Sequence, residues 1–232
     1  NNIYKRPENL TKQYWSLPHI SGKRRPNTDV YVLTSGGTFS AAEDFSYTLK
    51  HMGRATIIGE TTGGGAHPGG RQIVTDRFLV WLPTARTVNP NTKTNWEGVG
   101  VVPHIKKTAK DALNTAHMMA LEKYVAEHQE NSGLKQWYLQ SLKAQSETII
   151  VEEVLLKKYA GDYGPRTLTF ENGHLYYQRK GRAKFQLSPI NSTLFMVGDI
   201  DDFRIKIIVE DSEVIAIQGI SDDGSFSQNM RD

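Results

Sequence analysis

The sequence contains no cysteine, and this absence removes several classes of chemistry at once. Disulfide bonds, thiolate metal sites and a cysteine nucleophile are all excluded. The histidine pairs of metalloprotease helices and the carboxylate spacing of calcium loops are also lacking. Asp199, Asp201 and Asp202 are typical of a charged turn between strands. We therefore predict neither a metal ion nor any other cofactor.

Long apolar runs and an excess of one charge are lacking too. No stretch approaches the length of a membrane-spanning helix, so we predict no membrane span. The 28 lysines and arginines nearly balance the 25 acidic residues, and the net charge is +3. The two denser basic stretches, Gly22–Arg25 and Tyr176–Lys184, are interpreted as solvated loop or hairpin charges. Nucleic acid is therefore not predicted as a partner.

The first part of the chain shows a strand–helix–strand pattern. Asp29–Ser35 predicts a buried strand, Ser40–Gly53 a helix, and residues 55–60 a second buried strand. At this spacing the pattern is typical of a βαβ unit with parallel strands. Residues 1–28 are predicted to be a surface segment with one short helix, and Arg71–Thr87 to form two antiparallel strands.

The second part of the chain begins with predicted helices and continues with predicted strands. Helices are predicted for Ala109–His128 and for residues 134–149, followed by alternating strands with turns at intervals of roughly ten residues. The predicted fold class is therefore α/β followed by a small all-β domain. We expect a first domain over residues 1–130, a helical linker over 131–155, and a β-sheet or half-barrel over 156–232. For this last domain the pattern predicts nothing more specific than packing or protein interaction.

Ser40 stands where the first strand turns into the helix. With Glu43 three residues later, it has the pattern of a capping box, which is the ordinary role of such a serine. Gly36, Gly37, Thr38, Ala41 and Ala42 keep most side chains around it small. A ligand can approach such a backbone closely, and a helix N-terminus offers the free N–H donors that acyl transfer needs. Capping and nucleophilic attack are compatible roles, and the pattern leaves both open.

The segment "LTSGGTFSAAEDFSYTLKHMGRATIIGETTGGGAHPGG", residues 33–70, resembles the tail-specific, or C-terminal-processing, serine protease family. The nearest branch is similar to the interphotoreceptor retinoid-binding protein module, and Leu82–Ile105 resembles the same branch. The resemblance implies a crotonase-like, Clp-protease-like core of ββα units, incomplete here at its N-terminus. It also implies hydrolysis of polypeptide substrates and, for bacterial members, export to the periplasm or cell surface.

On the family's motif the nucleophile falls on Ser40, and the backbone N–H of Ala41 supplies an oxyanion donor. Some members carry a lysine base in the glycine-rich loop, but this sequence has Gly65 there. Branches without the lysine use a histidine oriented by a glutamate, and that role falls on Glu97. The sequence departs from the pattern at His104, where an aspartate is usual.

The resemblance places the family's catalytic histidine upstream of the first buried strand, in a segment that would precede Asn1. We therefore expect the chain to be the C-terminal part of a longer protease and to be inactive alone. His67, in the glycine-rich loop, is a second candidate base, or a residue that shapes the loop. His104 could instead pair with Glu97.

A non-catalytic module that binds apolar ligands or peptides is the alternative function, because one fold serves many functions. The apolar hairpin "DRFLVWLP" is expected to line the substrate groove. Homo-oligomerisation is left open by the sequence.

Overall fold

The computed structural model describes residues 1–232, apart from the side chain of Asn131. The chain divides into two compact units, Asn1–His117 and Met118–Asp232. Together they form a mixed α/β structure. The helix Ala109–Glu127 contains the point in the chain at which the two units divide. Within the described residues, none of the helices combines the length and the apolar character needed to cross a membrane.

The elements of the first unit follow a mixed order of strands and helices. In chain order they are β1 (Asn2–Lys5), β2 (Leu10–Gln13), β3 (Tyr31–Thr34), α1 (Ala41–His51), β4 (Thr56–Gly59), β5 (Gly69–Thr75), β6 (Phe78–Pro83), β7 (Ala85–Val88), β8 (Ile105–Lys106) and the start of α2 (Ala109–Glu127).

The predicted βαβ unit is confirmed. Strands β3 and β4 pair in parallel, with Tyr31 opposite Thr56, and α1 connects them. Strand β8 adds to β4, also in parallel, so the sheet order is β3-β4-β8. Ile57 and Ile58 of β4 are completely buried, as expected for a central strand of a parallel sheet. Ser40 therefore lies at the carboxyl end of β3, where helix α1 begins.

The prediction for residues 1–28 is wrong in one respect. Instead of a short helix, this segment forms β1 and β2, which pair antiparallel. Strand β1 also pairs with β7, so the order of this second sheet is β2-β1-β7. The partner strand β7 lies about eighty residues further along the chain, so a local sequence pattern does not reveal this pairing.

The predicted antiparallel pair within Arg71–Thr87 is present as the hairpin of β5 and β6. The segment also contains most of a third strand, β7, which leaves the hairpin and joins β1. From Arg71 to Leu82 every hairpin residue is exposed, including large apolar side chains on both strands. This is an unusually large apolar surface for one hairpin.

The second unit begins with the remainder of α2 and continues with two more helices and a run of strands. In chain order they are α3 (Gly133–Ser146), α4 (Glu153–Tyr159), β9 (Gly161–Tyr163), β10 (Arg166–Glu171), β11 (His174–Arg179), β12 (Lys184–Pro189), β13 (Leu194–Val197), β14 (Ile200–Glu210), β15 (Glu213–Ser221) and β16 (Phe226–Met230).

Strands β9 to β16 form a nearly closed antiparallel sheet in which each strand pairs with its neighbour in the chain. At the seam, Asp232 N–H donates to the carbonyl of Asp162 at 3.1 Å. Leu156 and Tyr159 of helix α4 belong to the buried core of this sheet. The predicted all-β region is therefore present, and it is closer to a full barrel than to a half-barrel.

Arg204 attaches helix α3 to strand β14. Its side chain is only 2% exposed, and the guanidinium lies 3.6 Å from the centre of the Trp137 ring. It also donates hydrogen bonds to Gln140 Oε1, Ser141 Oγ and the carbonyl of Trp137. Burial lowers the pKa of Arg204 to about 10, so the group stays charged at neutral pH.

Candidate active site

Ser40 occupies a strained backbone conformation at the N-terminus of α1. Its φ and ψ angles are 54° and −116°, whereas an ordinary N-cap serine lies in the β region. A non-glycine residue held in so sparsely populated a region costs on the order of 1–3 kcal/mol, and such residues cluster at active sites. Helix capping does not require this conformation. A sharp strand-to-helix turn that presents a nucleophile does.

Glu43 holds the Ser40 turn from inside the protein. Its side chain is completely buried, and one carboxylate oxygen accepts the backbone N–H of Ser40 at 2.9 Å. The sequence predicted this half of the capping box. The same carboxylate also accepts N–H groups from Gly64 at 2.7 Å and Gly65 at 2.8 Å, and the hydroxyl of Thr62. One buried side chain therefore joins the serine turn to the glycine-rich loop.

The pKa of Glu43 lies below its ordinary value. Burial by itself raises the pKa of this carboxyl, but the hydrogen bonds from Thr62, Gly65, Gly64 and Ser40 lower it further than burial raises it. Four donors converging on one carboxylate favour the charged form. Glu43 is consequently an anion at neutral pH, and its charge is stabilised entirely by the two loops that it connects.

Glu60 fixes the preceding part of the turn. Its carboxylate accepts the backbone N–H of Gly36 at 2.8 Å and that of Ala109 at 3.1 Å, at the start of α2. These two hydrogen bonds lower the pKa of Glu60. The small-residue turn is thus held at Gly36 by one carboxylate and at Ser40 by another.

The other side of the glycine-rich loop is attached to the segment that carries Glu97. Trp96 is 1% exposed, and its indole N–H donates to the carbonyl of Gly65 at 3.0 Å. Gly98 N–H donates to the carbonyl of Gly64 at 2.9 Å. Because these contacts lie on both sides of Glu97, its backbone is fixed against the loop.

Glu97 and His67 face each other. Glu97 Oε1 lies 3.6 Å from His67 Nδ1, and Glu97 Oε2 accepts the backbone N–H of Ala66 at 2.6 Å. A histidine whose Nδ1 faces a carboxylate carries its proton there and keeps Nε2 free to accept another. This arrangement is compatible with a histidine that accepts a proton through Nε2. From the sequence we expected Glu97 to orient a histidine upstream of Asn1, with His67 as a second candidate base.

One cavity brings these residues together. It has a volume of about 500 Å³ and contains the predicted nucleophile, the orienting carboxylate and the histidine of the loop. The residues that line it are Phe39, Ser40, Gly64, Gly65, His67, Pro68, Trp81, Pro83 and Glu97. Trp81 and Pro83 come from strand β6, so the hairpin expected to line a substrate groove contributes to this cavity.

The ring of Phe39 lies against the glycine-rich loop. A methyl group placed on Gly65 would come within 2.2 Å of Phe39 Cζ, and one placed on Gly63 within 2.7 Å of Cδ2. Heavy atoms do not approach so closely, so the ring requires glycine at both positions. This contact explains why residue 65 lacks a side chain in a loop that faces the cavity.

Ala41 begins helix α1 directly after Ser40. Within the described residues its backbone N–H has no hydrogen-bond acceptor, whereas the N–H groups of Ser40 and Ala42 donate to Glu43 and Phe39. A free N–H at a helix N-terminus, next to a nucleophile, can stabilise a developing oxyanion. This geometry is compatible with the role expected for Ala41.

His104 lies elsewhere. The ring Nδ1 of His104 accepts the backbone N–H of Ile57 at 2.9 Å, and the backbone N–H of His104 donates to the Ile57 carbonyl at 2.9 Å. The residue therefore extends the pairing of strand β4 and does not line the cavity that contains Glu97. The sequence pattern missed two residues of the site: it identified Glu43 only as part of a helix cap and assigned no role to Phe39.

Comparison with known proteins agrees with the sequence motifs. Residues 2–107 match the sequence profile of Peptidase family S41. Among solved structures, a photosystem II D1 C-terminal processing protease is 28% identical over 36% of this chain, with a TM-score of 0.32. Mature CPAF is 24% identical over 52% of this chain, also with a TM-score of 0.32. The chain spans about a fifth, 22%, of the length of each of these two proteins.

The segment matched to the family contains every residue of the cavity and of the two loops around it. The resemblance to the tail-specific protease family is therefore confirmed for residues 2–107, the part of the chain that matches Peptidase family S41.

Proposed function

We propose that this chain carries the nucleophile of a serine endopeptidase that hydrolyses polypeptides. Ser40 Oγ attacks the carbonyl carbon of the scissile peptide bond, and the N–H of Ala41 stabilises the resulting oxyanion. The observation that carries this proposal is the strained conformation of Ser40, at φ 54°, inside a cavity that also contains a paired histidine and carboxylate.

The hydroxyl proton of Ser40 needs a base, and Glu97 is proposed to orient it. Two histidines are candidates for the base. His67 faces Glu97 through Nδ1 in this structure, and its Nε2 is then available to take the proton. The family resemblance instead supports a histidine upstream of Asn1, in a longer protein. In either case the base returns the proton to the leaving amine.

Two broader proposals rest on the family resemblance. The first unit is proposed to be part of a crotonase-like core, and the protein to be exported to the periplasm or cell surface. The parallel arrangement of β3, β4 and β8 with α1 is compatible with such a core. The upstream residues of a longer chain would then complete it.

Labelling with a fluorophosphonate probe tests this function, because the probe reacts with activated serines. Four proteins are compared: the wild-type chain, a version extended upstream, and the Ser40→Ala variant of each. Labelling that disappears in Ser40→Ala supports Ser40 as the nucleophile. If neither length is labelled at Ser40, the peptidase proposal is wrong.

The same assay identifies the base. If the wild-type chain is labelled without extension, His67→Gln should reduce the labelling rate by about a hundredfold or more, as expected for loss of a general base. His19→Gln, at an exposed residue outside the cavity, is the matched control. If only the extended chain is labelled and His67→Gln leaves the rate unchanged, the base is the upstream histidine.

A non-catalytic binding module is the second candidate function. It is favoured by the β5–β6 hairpin, whose apolar side chains are exposed from Ile73 to Leu82. Such a surface fits an extended peptide as well as a second protein. Binding of apolar peptides without any labelling of Ser40 would support this function over hydrolysis.

A further inference from the structure

We propose that the cavity beside Ser40 binds an aromatic side chain of the polypeptide, packed against Phe39 and Trp81. The inference deepens the proposed function, on which it rests, because it assigns a substrate class to the same cavity. It would make Phe39 and Trp81 the residues that determine specificity.

Both residues expose most of a large aromatic side chain next to the nucleophile. Phe39 is 57% exposed and Trp81 is 59% exposed, and both line the cavity that contains Ser40. Isolated exposed aromatics are common on protein surfaces, but two of them in one cavity form an apolar wall. Pro68 and Pro83 add two further apolar rings to the same wall. The lining therefore favours a flat, uncharged group.

Phe39 is held firmly in this position. It precedes Ser40 in the chain, and its ring rests on Gly63 and Gly65, as shown by the distances of 2.7 Å and 2.2 Å to methyl groups placed there. Those glycines belong to a loop attached to Glu43 through Gly64 and Gly65. A binding surface that is already ordered loses little conformational entropy when a ligand packs on it.

Trp81 lines the cavity from the β5–β6 hairpin. It lies on β6, opposite Arg71 of β5, in a hairpin whose base pairs Gly69 with Pro83. The ionisable side chains of the cavity lining are His67 and Glu97, which face each other. An acidic substrate side chain would meet the carboxylate of Glu97, so we expect acidic residues to be disfavoured.

These features predict an order of preference. Aromatic rings gain from packing against other rings in addition to the area they bury. A leucine side chain gains only from buried area, and an alanine buries little. We therefore expect phenylalanine to be preferred over leucine, leucine over alanine, and alanine over aspartate.

Peptide binding to the Ser40→Ala chain tests the proposal, because this variant retains the cavity and cannot turn over substrate. The probes are blocked tripeptides of the form acetyl-Ala-X-Ala-amide, with X as Phe, Leu, Ala or Asp, and binding is followed by tryptophan fluorescence and calorimetry. We expect the Phe peptide to bind about tenfold more tightly than the Ala peptide and at least about twofold more tightly than the Leu peptide.

Three further substitutions, each made in the Ser40→Ala chain, locate the effect. Phe39→Ala and Trp81→Ala should each remove most of the preference for Phe over Ala. Phe45→Ala is the matched control, since Phe45 on α1 is 59% exposed but does not line the cavity. Trp81→Leu keeps an apolar side chain and should retain the preference for Leu over Ala while losing that for Phe.

Equal affinity for the Phe and Ala peptides overturns the proposal, and so does the absence of measurable binding by any peptide. A loss of preference in Phe45→Ala as large as in Phe39→Ala also overturns it. Fluorophosphonate labelling of the wild-type chain reports separately on hydrolysis. Labelling without an aromatic preference refutes only the specificity, and an aromatic preference without labelling refutes only the peptidase function.

Discussion

The completely buried carboxylate of Glu43 accepts the backbone N–H of Ser40 at 2.9 Å. Because the same carboxylate also binds the N–H groups of the glycine-rich loop, the conformation of Ser40 and the position of the loop depend on one side chain. Glu43 therefore stabilises the strained conformation of Ser40, although it does not itself line the cavity.

Glu43→Gln should destabilise the first unit by about 2 kcal/mol or more, because hydrogen bonds to a charged acceptor are replaced and an amide N–H₂ faces backbone donors. The measurement is urea unfolding of the variant and of the wild-type chain. Glu8→Gln, at an exposed glutamate of the same unit, is the control and should change little. A difference between the two variants below about 0.5 kcal/mol would contradict the role assigned to Glu43.

The same variant gives a pH test. The folded protein lowers the pKa of Glu43 below its ordinary value of 4.5, so between the folded and unfolded pKa values the unfolded state binds more protons. The stability due to Glu43 is therefore fully present above pH 4.5 and is lost as the pH falls through the folded pKa. Because glutamine does not titrate, the stability of Glu43→Gln should fall less than that of the wild-type chain as the pH is lowered. Unfolding curves at several acidic pH values measure this difference.

Ser40→Gly should stabilise the first unit by about 1 kcal/mol while abolishing fluorophosphonate labelling, because glycine adopts a positive φ without steric cost. Replacing a capping serine by glycine costs only a few tenths of a kcal/mol, so relief of strain dominates. Ser40→Ala retains a Cβ atom and with it the strain. Thermal unfolding should thus rank the glycine variant above the serine and alanine forms, and the reverse order would show that Ser40 is not strained.

Gly65→Ala should displace the Phe39 ring, because the new methyl group would lie 2.2 Å from Cζ. We expect a loss of about 1–3 kcal/mol in the stability of the first unit. Combining Gly65→Ala with Phe39→Ala should recover most of this loss, and unfolding of the four proteins forms a double-mutant cycle. Gly70→Ala is the control, since a methyl group there meets nothing within 4 Å. Additive effects in the cycle would mean that the ring and the loop are independent.

Arg204→Met should destabilise the second unit by about 2–4 kcal/mol. The substitution removes the stacking on Trp137 and leaves Gln140 and Ser141 without their hydrogen-bond partner. Arg182→Met, at an exposed arginine of the same unit, is the control for loss of charge. If both variants unfold at the same denaturant concentration, Arg204 does not attach α3 to the sheet as described.

The sequence predicted those parts of the fold that depend on local patterns. The alternation around β3, α1 and β4 identified the βαβ unit and located Ser40 at its turn, since these elements are consecutive in the chain. Strand β1 was missed because its partner β7 lies far along the sequence. The near closure of the β9–β16 sheet was missed for the same reason, since its seam joins Asp162 to Asp232.

Prediction of the site from the sequence is limited in the same way. The family resemblance identified Ser40 and Ala41 from the small-residue motif and Glu97 from the segment Leu82–Ile105, and their catalytic roles are still predictions. The spacing of Ser40 and Glu43 revealed a helix cap but not the bonds to Gly64 and Gly65, some twenty residues further on. The contact of Glu97 with His67 joins two loops whose proximity depends on tertiary packing.

The seam of the β9–β16 sheet has a consequence for the folding kinetics of the second unit. Each strand pairs with its chain neighbour, so most of the sheet forms at a small cost in loop-closure entropy. The seam, by contrast, joins the two ends of this run of strands through Asp162 and Asp232. It should therefore close after the rate-limiting step of folding. Weakening it should accelerate unfolding while leaving the folding rate almost unchanged.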